Sequence, residues 1–373
     1  MGEEKANLLN MPSLFPILGQ SQAVAPTGIA RLAAEGEQAH LGHLVEFRTM
    51  ATRSVLNRVE SKRVQWMAWS VNPYRGCEFG CRYCYARYTH EYIQPSEPKT
   101  GSLETPELEP RETSAFELFE REIYIKQNTA WLLRQELKQV RPEEYIALGT
   151  ATDPYQPIER RAQVTRGLLE VFAEQEGLRL GIVTKSTLVE RDIDVLTKIA
   201  RRNRLSVALT ITTPDAALAR ILEPRAPRPD LRFRTVERLR AAGLKAGVLC
   251  SPLMPGITDS PRALEAMARR VKKAGANFFA SQPLFLKPCS KPVFLRFIRE
   301  HFPELEKVYQ TRYGDRAFVS KAYQERIATL VRAVAQKYGL QQRFGDEPLP
   351  GKKPAWPVQA EFWPGAQELR RGA

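Results

Sequence analysis

Between residues 66 and 301 six short apolar runs alternate with stretches of helical period, and this alternation restricts the fold more than any other feature. The runs are "WMAWSVN" (66–72), "YIALGT" (145–150), "LRLGIVTKS" (178–186), "RLSVALTITT" (204–213), "LKAGVLCSPL" (244–253) and "ANFFASQPL" (276–284). Helical patterns follow at Ile158–Gln175, Val189–Arg201, Asp215–Leu222, Leu231–Ala242, 261–274 and 291–301. Strands separated by helices at this spacing build right-handed βαβ units and a parallel sheet. The expected fold class is α/β, a partial (β/α)6 TIM-like barrel over 66–301, with an N-terminal extension over 1–65 and a C-terminal helical cap and tail over 302–373. In such a barrel the chemistry collects at the C-terminal ends of the strands. The polar segments "GTATDP", "TKS", "TITTPD" and "CSPLMPG" all follow strand ends and should face one mouth.

Outside the barrel the signals are weaker. Residues 1–62 show no sustained period and read as an extension partly wrapped on the core. "QPSEPKTGSLETPELEPRE" (94–112) reads as an acidic surface loop. A helical cap is expected over Lys321–Tyr338. No run approaches eighteen apolar residues, and the acidic start lacks the basic region of a secretory signal, so a cytoplasmic protein is expected. Five cysteines, an odd number, argue against a disulfide framework and for thiols kept reduced.

Three of those cysteines, Cys77, Cys81 and Cys84, fall within eight residues as C-x3-C-x2-C, and the loop follows the first strand run. A [4Fe–4S] cube ordinarily takes four thiolates. Three leave one iron open to a ligand that can react. Gly76 and Gly80 let the backbone bend close to such a group. Structural zinc with His90 as a fourth ligand is an alternative, although zinc sites usually pair their ligands two and two. Buried cysteines without a ligand role are the plain alternative.

With "NPYRGCEFGCRYCYAR", "GTATDPYQPIE", "TKS", "TITTPD" and "LEPRAPRP", the chain resembles the radical S-adenosylmethionine (SAM) superfamily over about residues 66–300, and within it the branch of spore photoproduct lyase and DNA-repair-photolyase-like proteins. The resemblance implies a radical SAM barrel, a [4Fe–4S] cluster on Cys77, Cys81 and Cys84, and S-adenosylmethionine as ligand of the fourth iron. It implies Tyr83 against the adenine, Lys185 at the methionine carboxylate, Thr210 or Thr212 at the same ligand, Asp153 near it, and Leu249–Met254 walling the adenine. It also implies an electron donor such as flavodoxin or ferredoxin, and a monomer. The activity would be reductive cleavage of S-adenosylmethionine to a 5′-deoxyadenosyl radical that abstracts hydrogen from a substrate.

Each position also has an ordinary reading. Lys185 could be a solvated strand-end lysine, Thr210 and Thr212 are β-branched strand residues, and Asp153 and Glu159 suit a helix start. Glu223, ahead of Pro224, could simply pair with Arg225. The chain departs from the lyase pattern at Thr150, where that enzyme carries the thiol that returns a hydrogen atom. This puts thymine-dimer repair in doubt and leaves Cys250, Cys289 and Tyr155 as candidates at the mouth, with Cys250 and Tyr155 taken as catalytic. Lys and Arg number 56 against 42 Asp and Glu, a net charge of +14 that favours polyanionic partners such as nucleic acid. Eight Lys/Arg fall between Arg220 and Lys245, mostly on expected outer helices. A peptide or small-molecule substrate, or a non-enzymatic nucleic-acid-binding protein with a metal knuckle, are the alternatives.

Overall fold

The computed structural model describes residues 27–34, 38–41, 45–60, 66–93 and 115–341. The expected loop over 94–112 and the tail beyond 341 lie outside them. Eleven strands occur among the described residues: β1 (Gln38–Leu41), β2 (Glu46–Met50), β3 (Leu56–Arg58), β4 (Trp69–Val71), β5 (Tyr74–Arg75), β6 (Glu122–Lys126), β7 (Tyr145–Leu148), β8 (Arg179–Thr184), β9 (Arg204–Thr210), β10 (Ala246–Leu253) and β11 (Phe279–Pro283).

Strands β4, β7, β8, β9, β10 and β11 lie side by side in that order, and each neighbouring pair is parallel. These are the six apolar runs read from the sequence. All four residues of β7 are buried, as are all of β9 after Arg204. Continuous burial is what a parallel strand needs when helices cover one face and the barrel interior the other. The sheet does not close: β3 adds antiparallel to β4 at one edge, and β11 forms the other. A partial TIM-like barrel is the result.

The helices lie close to their expected positions because their starts carry caps. Asp215 accepts from the amides of Ala217 and Leu218 to open Ala216–Leu222, and Ser260 accepts from Ala263 to open Pro261–Lys273. Such caps satisfy amides that have no partner within the helix. The expected helix Ile158–Gln175 is in fact two, Glu159–Ala162 and Val164–Ala173, broken at Gln163 with φ of 50°. The Glu159 carboxylate explains the break, since it accepts from the amides of Thr165 and Arg166 at 2.9 and 3.2 Å and so caps the second helix.

A second sheet of four strands, in the order β1-β2-β6-β5, includes residues that the sequence reading left without regular structure. Strand β2 pairs parallel with β6, and β5 antiparallel with β6. Runs this short, without alternation, leave no periodic trace. The consequence for function is local, because β5 ends one residue before the first glycine of the cysteine loop. At the other end of the chain, helix Lys321–Lys337 docks on Pro261–Lys273. There the Tyr323 hydroxyl donates to Asp259 at 2.7 Å, and Lys337 pairs with Glu265 at 2.5 Å. No helix among the described residues is long and apolar enough to cross a membrane.

Candidate active site

The cysteine loop leaves β5 through Gly76 at φ 85° and turns again at Gly80 at φ 64°. A Cβ on Gly76 would stand 2.6 Å from the carbonyl oxygen of Glu122. The backbone therefore passes too close to β6 for any side chain. The Cys77 amide donates to the Phe119 carbonyl at 3.0 Å, and Cys84 closes a turn onto Cys81 at 3.2 Å. Burial pushes the Cys77 thiol well above the ordinary range, and Asp153, Cys81 and Cys84 add to it. Burial likewise pushes Cys81 up to about 12, opposed by the Lys185 ammonium.

Lys185 sits where β8 ends, and Asp153 holds it there. One Asp153 oxygen accepts from the Thr184 hydroxyl at 2.6 Å and the Tyr155 amide at 2.9 Å; the other accepts from the Lys185 amide at 2.7 Å. Asp153 thus orders the loop with both its oxygens. The Lys185 Nζ lies 5.6 Å from the centre of the Tyr83 ring. Burial disfavours its charge, but Cys81, Glu223 and Asp153 outweigh that and hold it above the usual lysine range.

Tyr83 points into a buried polar knot. Its hydroxyl lies 2.9 Å from Thr212 Oγ1 and donates to Glu223, which also accepts from Thr212 at 2.7 Å. With both hydroxyl protons directed to Glu223, the Tyr83–Thr212 contact is a close approach of two oxygens that share one acceptor. Glu223 completes it by pairing with Arg232 at 2.6 Å, both side chains only 1% exposed. Burial opposes the Glu223 charge, yet Arg232, Lys185 and the two hydroxyls bring its carboxyl below the ordinary range. Arg232 also donates to the carbonyls of Thr210 at 2.9 Å and Pro227 at 2.7 Å.

The expected pairing of Glu223 with Arg225 is therefore replaced. Arg225 turns instead to Glu120, 3.5 Å away. Of the other expected residues, Cys250 joins the knot, with its thiol 3.6 Å from the Thr212 carbonyl and pushed up to about 12 by burial and by Glu223. Cys289 lies against the Tyr85 carbonyl at 3.7 Å. Tyr155 is fully buried, its phenol facing the carboxylates of Asp192 and Glu159 among the helices. His90 packs on Phe119 and Tyr124 and donates from Nε2 to the Glu122 carbonyl at 3.0 Å.

Arg232 is the member that sequence reasoning missed, and with it the true partner of Glu223. The available signal was an acid within a strongly basic run, a pattern that surface charge alone does not explain.

With the geometry in place, comparison with known proteins identifies the class. A family model described as the radical SAM superfamily matches residues 71–268, more than half of the 373-residue chain. The chain belongs to that superfamily. It is similar to an uncharacterised protein of Mycobacterium tuberculosis, with 32% identity over 322 residues, 86% of this chain and 88% of that one. A Methanocaldococcus jannaschii protein, also uncharacterised, is 24% identical over 263 residues, 70% of this chain and 87% of its own. Among solved structures, a spore photoproduct lyase variant with bound AdoMet and dinucleoside spore photoproduct matches with a TM-score of 0.57, at 15% identity over 80% of this chain and 82% of that one. At that identity the likeness is one of fold.

The superfamily implies a [4Fe–4S] cluster and S-adenosylmethionine, and the donor set fits them. Three thiols share one loop, each available to a different iron. Among the described residues no three His, Cys, Asp or Glu side chains converge on a single ion. The Gly76 and Gly80 turns leave the loop without side chains where it passes its neighbours.

Proposed function

We propose that the chain is a radical SAM enzyme whose cluster is held by Cys77, Cys81 and Cys84, with residues 66–301 as its catalytic unit. The observation that carries this reading is the gathering of the three thiols, Tyr83 and Lys185 at the strand ends, inside the segment that matches the superfamily. When bound, the cluster and S-adenosylmethionine supply a 5′-deoxyadenosyl radical by reductive cleavage, and that radical takes a hydrogen atom from the substrate.

Lys185 offers its ammonium to the methionine carboxylate, and Asp153 keeps the lysine backbone in place. Tyr83 offers a ring face to the adenine while its hydroxyl is tethered by Thr212 and Glu223. Thr210 presents its side chain at the end of β9, its carbonyl fixed by Arg232. Cys250 lies behind Thr212, where its S–H can act as a hydrogen donor to a product radical. Tyr155 holds the "TDPYQP" turn against Asp192 and supports the mouth from behind. The barrel keeps water from the reacting centre.

The surplus of +14 favours a nucleic-acid substrate over a peptide or small molecule. Thr150 stands where the lyase has its thiol, so we place the reaction outside thymine-dimer repair. A small electron-transfer protein of the flavodoxin or ferredoxin type would reduce a monomeric enzyme in the cytoplasm.

The test is anaerobic reconstitution followed by dithionite and S-adenosylmethionine. We expect a [4Fe–4S] spectrum and 5′-deoxyadenosine, with Lys185→Ala weakening cosubstrate binding by roughly tenfold or more, as for a charge-assisted contact. Zinc in place of iron, or a cluster indifferent to S-adenosylmethionine, would overturn the reading.

A further inference from the structure

Aromatic rings that the chemistry above does not use lie between the end of β7 and the segment that follows β11. Tyr85, next to Cys84, donates its hydroxyl to the Thr150 carbonyl at the end of β7. Its ring meets that of Phe285, which follows β11, with centroids 5.1 Å apart. Phe285 in turn stacks on Phe318 at 5.5 Å and 18°. In the other direction Tyr88 and Tyr92 pack edge to face at 6.3 Å. The Lys287 Nζ stands 3.9 Å from the centre of the Tyr88 ring. Arg75, whose Nη1 donates to the Thr89 carbonyl at 2.6 Å, adds a second cation beside Tyr88. Tyr92 is 59% exposed and Phe318 38%, while Tyr85, Tyr88 and Phe285 are half-buried.

Large rings are normally put to use as buried area. Here five of them lie partly open beside a cluster ligand, between the end of β7 and the segment after β11, with two cations next to Tyr88. Every base has a flat face that stacks on such rings, and phosphates seek the cations beside them. A base within a duplex has no free face to offer.

We propose that this patch docks single-stranded nucleic acid as the substrate, with unstacked bases on Tyr88, Tyr92 and Phe318 and phosphates at Lys287 and Arg75. The net charge of +14 on the whole chain is of the right sign for that occupant. The inference rests on the reading that the cysteine loop carries the radical chemistry, since it names the substrate class of that same mouth.

The experiment is fluorescence anisotropy of the anaerobically reconstituted protein with a labelled single-stranded oligonucleotide of about a dozen nucleotides, the matching duplex serving as competitor. Tyr88→Ala and Tyr92→Ala should each weaken binding roughly tenfold, the loss of one stacked base. Tyr88→Phe, which keeps the ring, should restore it. Lys287→Ala should flatten the dependence of log K on log salt by about 0.7. Absence of binding, tighter binding of the duplex, indifference to both alanine variants, or competition by a peptide pool at the patch would each overturn the proposal. The two readings fail separately. Wild-type protein that binds S-adenosylmethionine but no oligonucleotide sinks only the docking surface. Protein that binds the oligonucleotide through the patch but ignores S-adenosylmethionine sinks only the radical chemistry.

Discussion

Glu223 and Arg232 form a pair whose members are each only 1% exposed. Taking two charges out of water is costly, and a partner left alone inside pays that cost without return. Glu223→Gln should therefore destabilise the protein by about 3 kcal/mol in urea unfolding, and Arg232→Met by a similar amount. Combining the two should cost clearly less than their sum, because neither charge is then stranded. His90 shows how burial alone changes a titration: it is pushed down from 6.5 to about 4, first by burial and then by Arg75 and Arg87. Its folded value lies below its unfolded one, so the unfolded chain takes up the proton first as the pH falls. Stability is whole above pH 6.5 and drains away toward pH 4, by about 3 kcal/mol in all. The difference between wild type and His90→Phe in urea midpoint, followed from pH 7 to 4, should show that loss. Neither result was foreseeable from residue type. The cysteines announced themselves by spacing, whereas Glu223 owes its behaviour to Arg232 and Lys185, and His90 mainly to the burial that its tertiary packing imposes.

Helices and strands were readable where burial was continuous, as in β7 and in β9 after Arg204, and where a cap stood at the start, as at Asp215. They were not readable where a distant side chain decided the outcome. Periodicity carries straight through Gln163, yet Glu159 captures the amides of Thr165 and Arg166 and forces Gln163 to a φ of 50°. A β-branched residue resists that conformation, so Gln163→Val should cost about 1–2 kcal/mol in thermal or urea unfolding. Gln163→Gly should stay within about 0.5 kcal/mol of wild type, the entropy cost of glycine being set against relief at φ. Equal losses for the two would mean that the break is not held by backbone preference. The short strands β1 to β3 escaped notice for a different reason, since three to five residues without alternation give periodicity nothing to detect.

For the molecule as a whole, the site is assembled from segments that start near residue 74 and end near residue 253, so whatever binds there draws distant parts of the chain together. A ligand that recognises only the folded form stabilises it by mass action. The unfolding midpoint of the reconstituted protein should rise with S-adenosylmethionine, by about 2.7 kcal/mol at a hundred times its dissociation constant. A midpoint unmoved by saturating cosubstrate would count against the assembled site. Such convergence was only partly readable: the strand-end rule located the mouth, but which side chains meet inside it depends on the register of β8, β9 and β10. That sheet stops short of joining its first strand to its last. Its first and last strands share no hydrogen-bonded ladder among the described residues, so the two edges can shift relative to one another at the mouth without breaking a rung of the sheet.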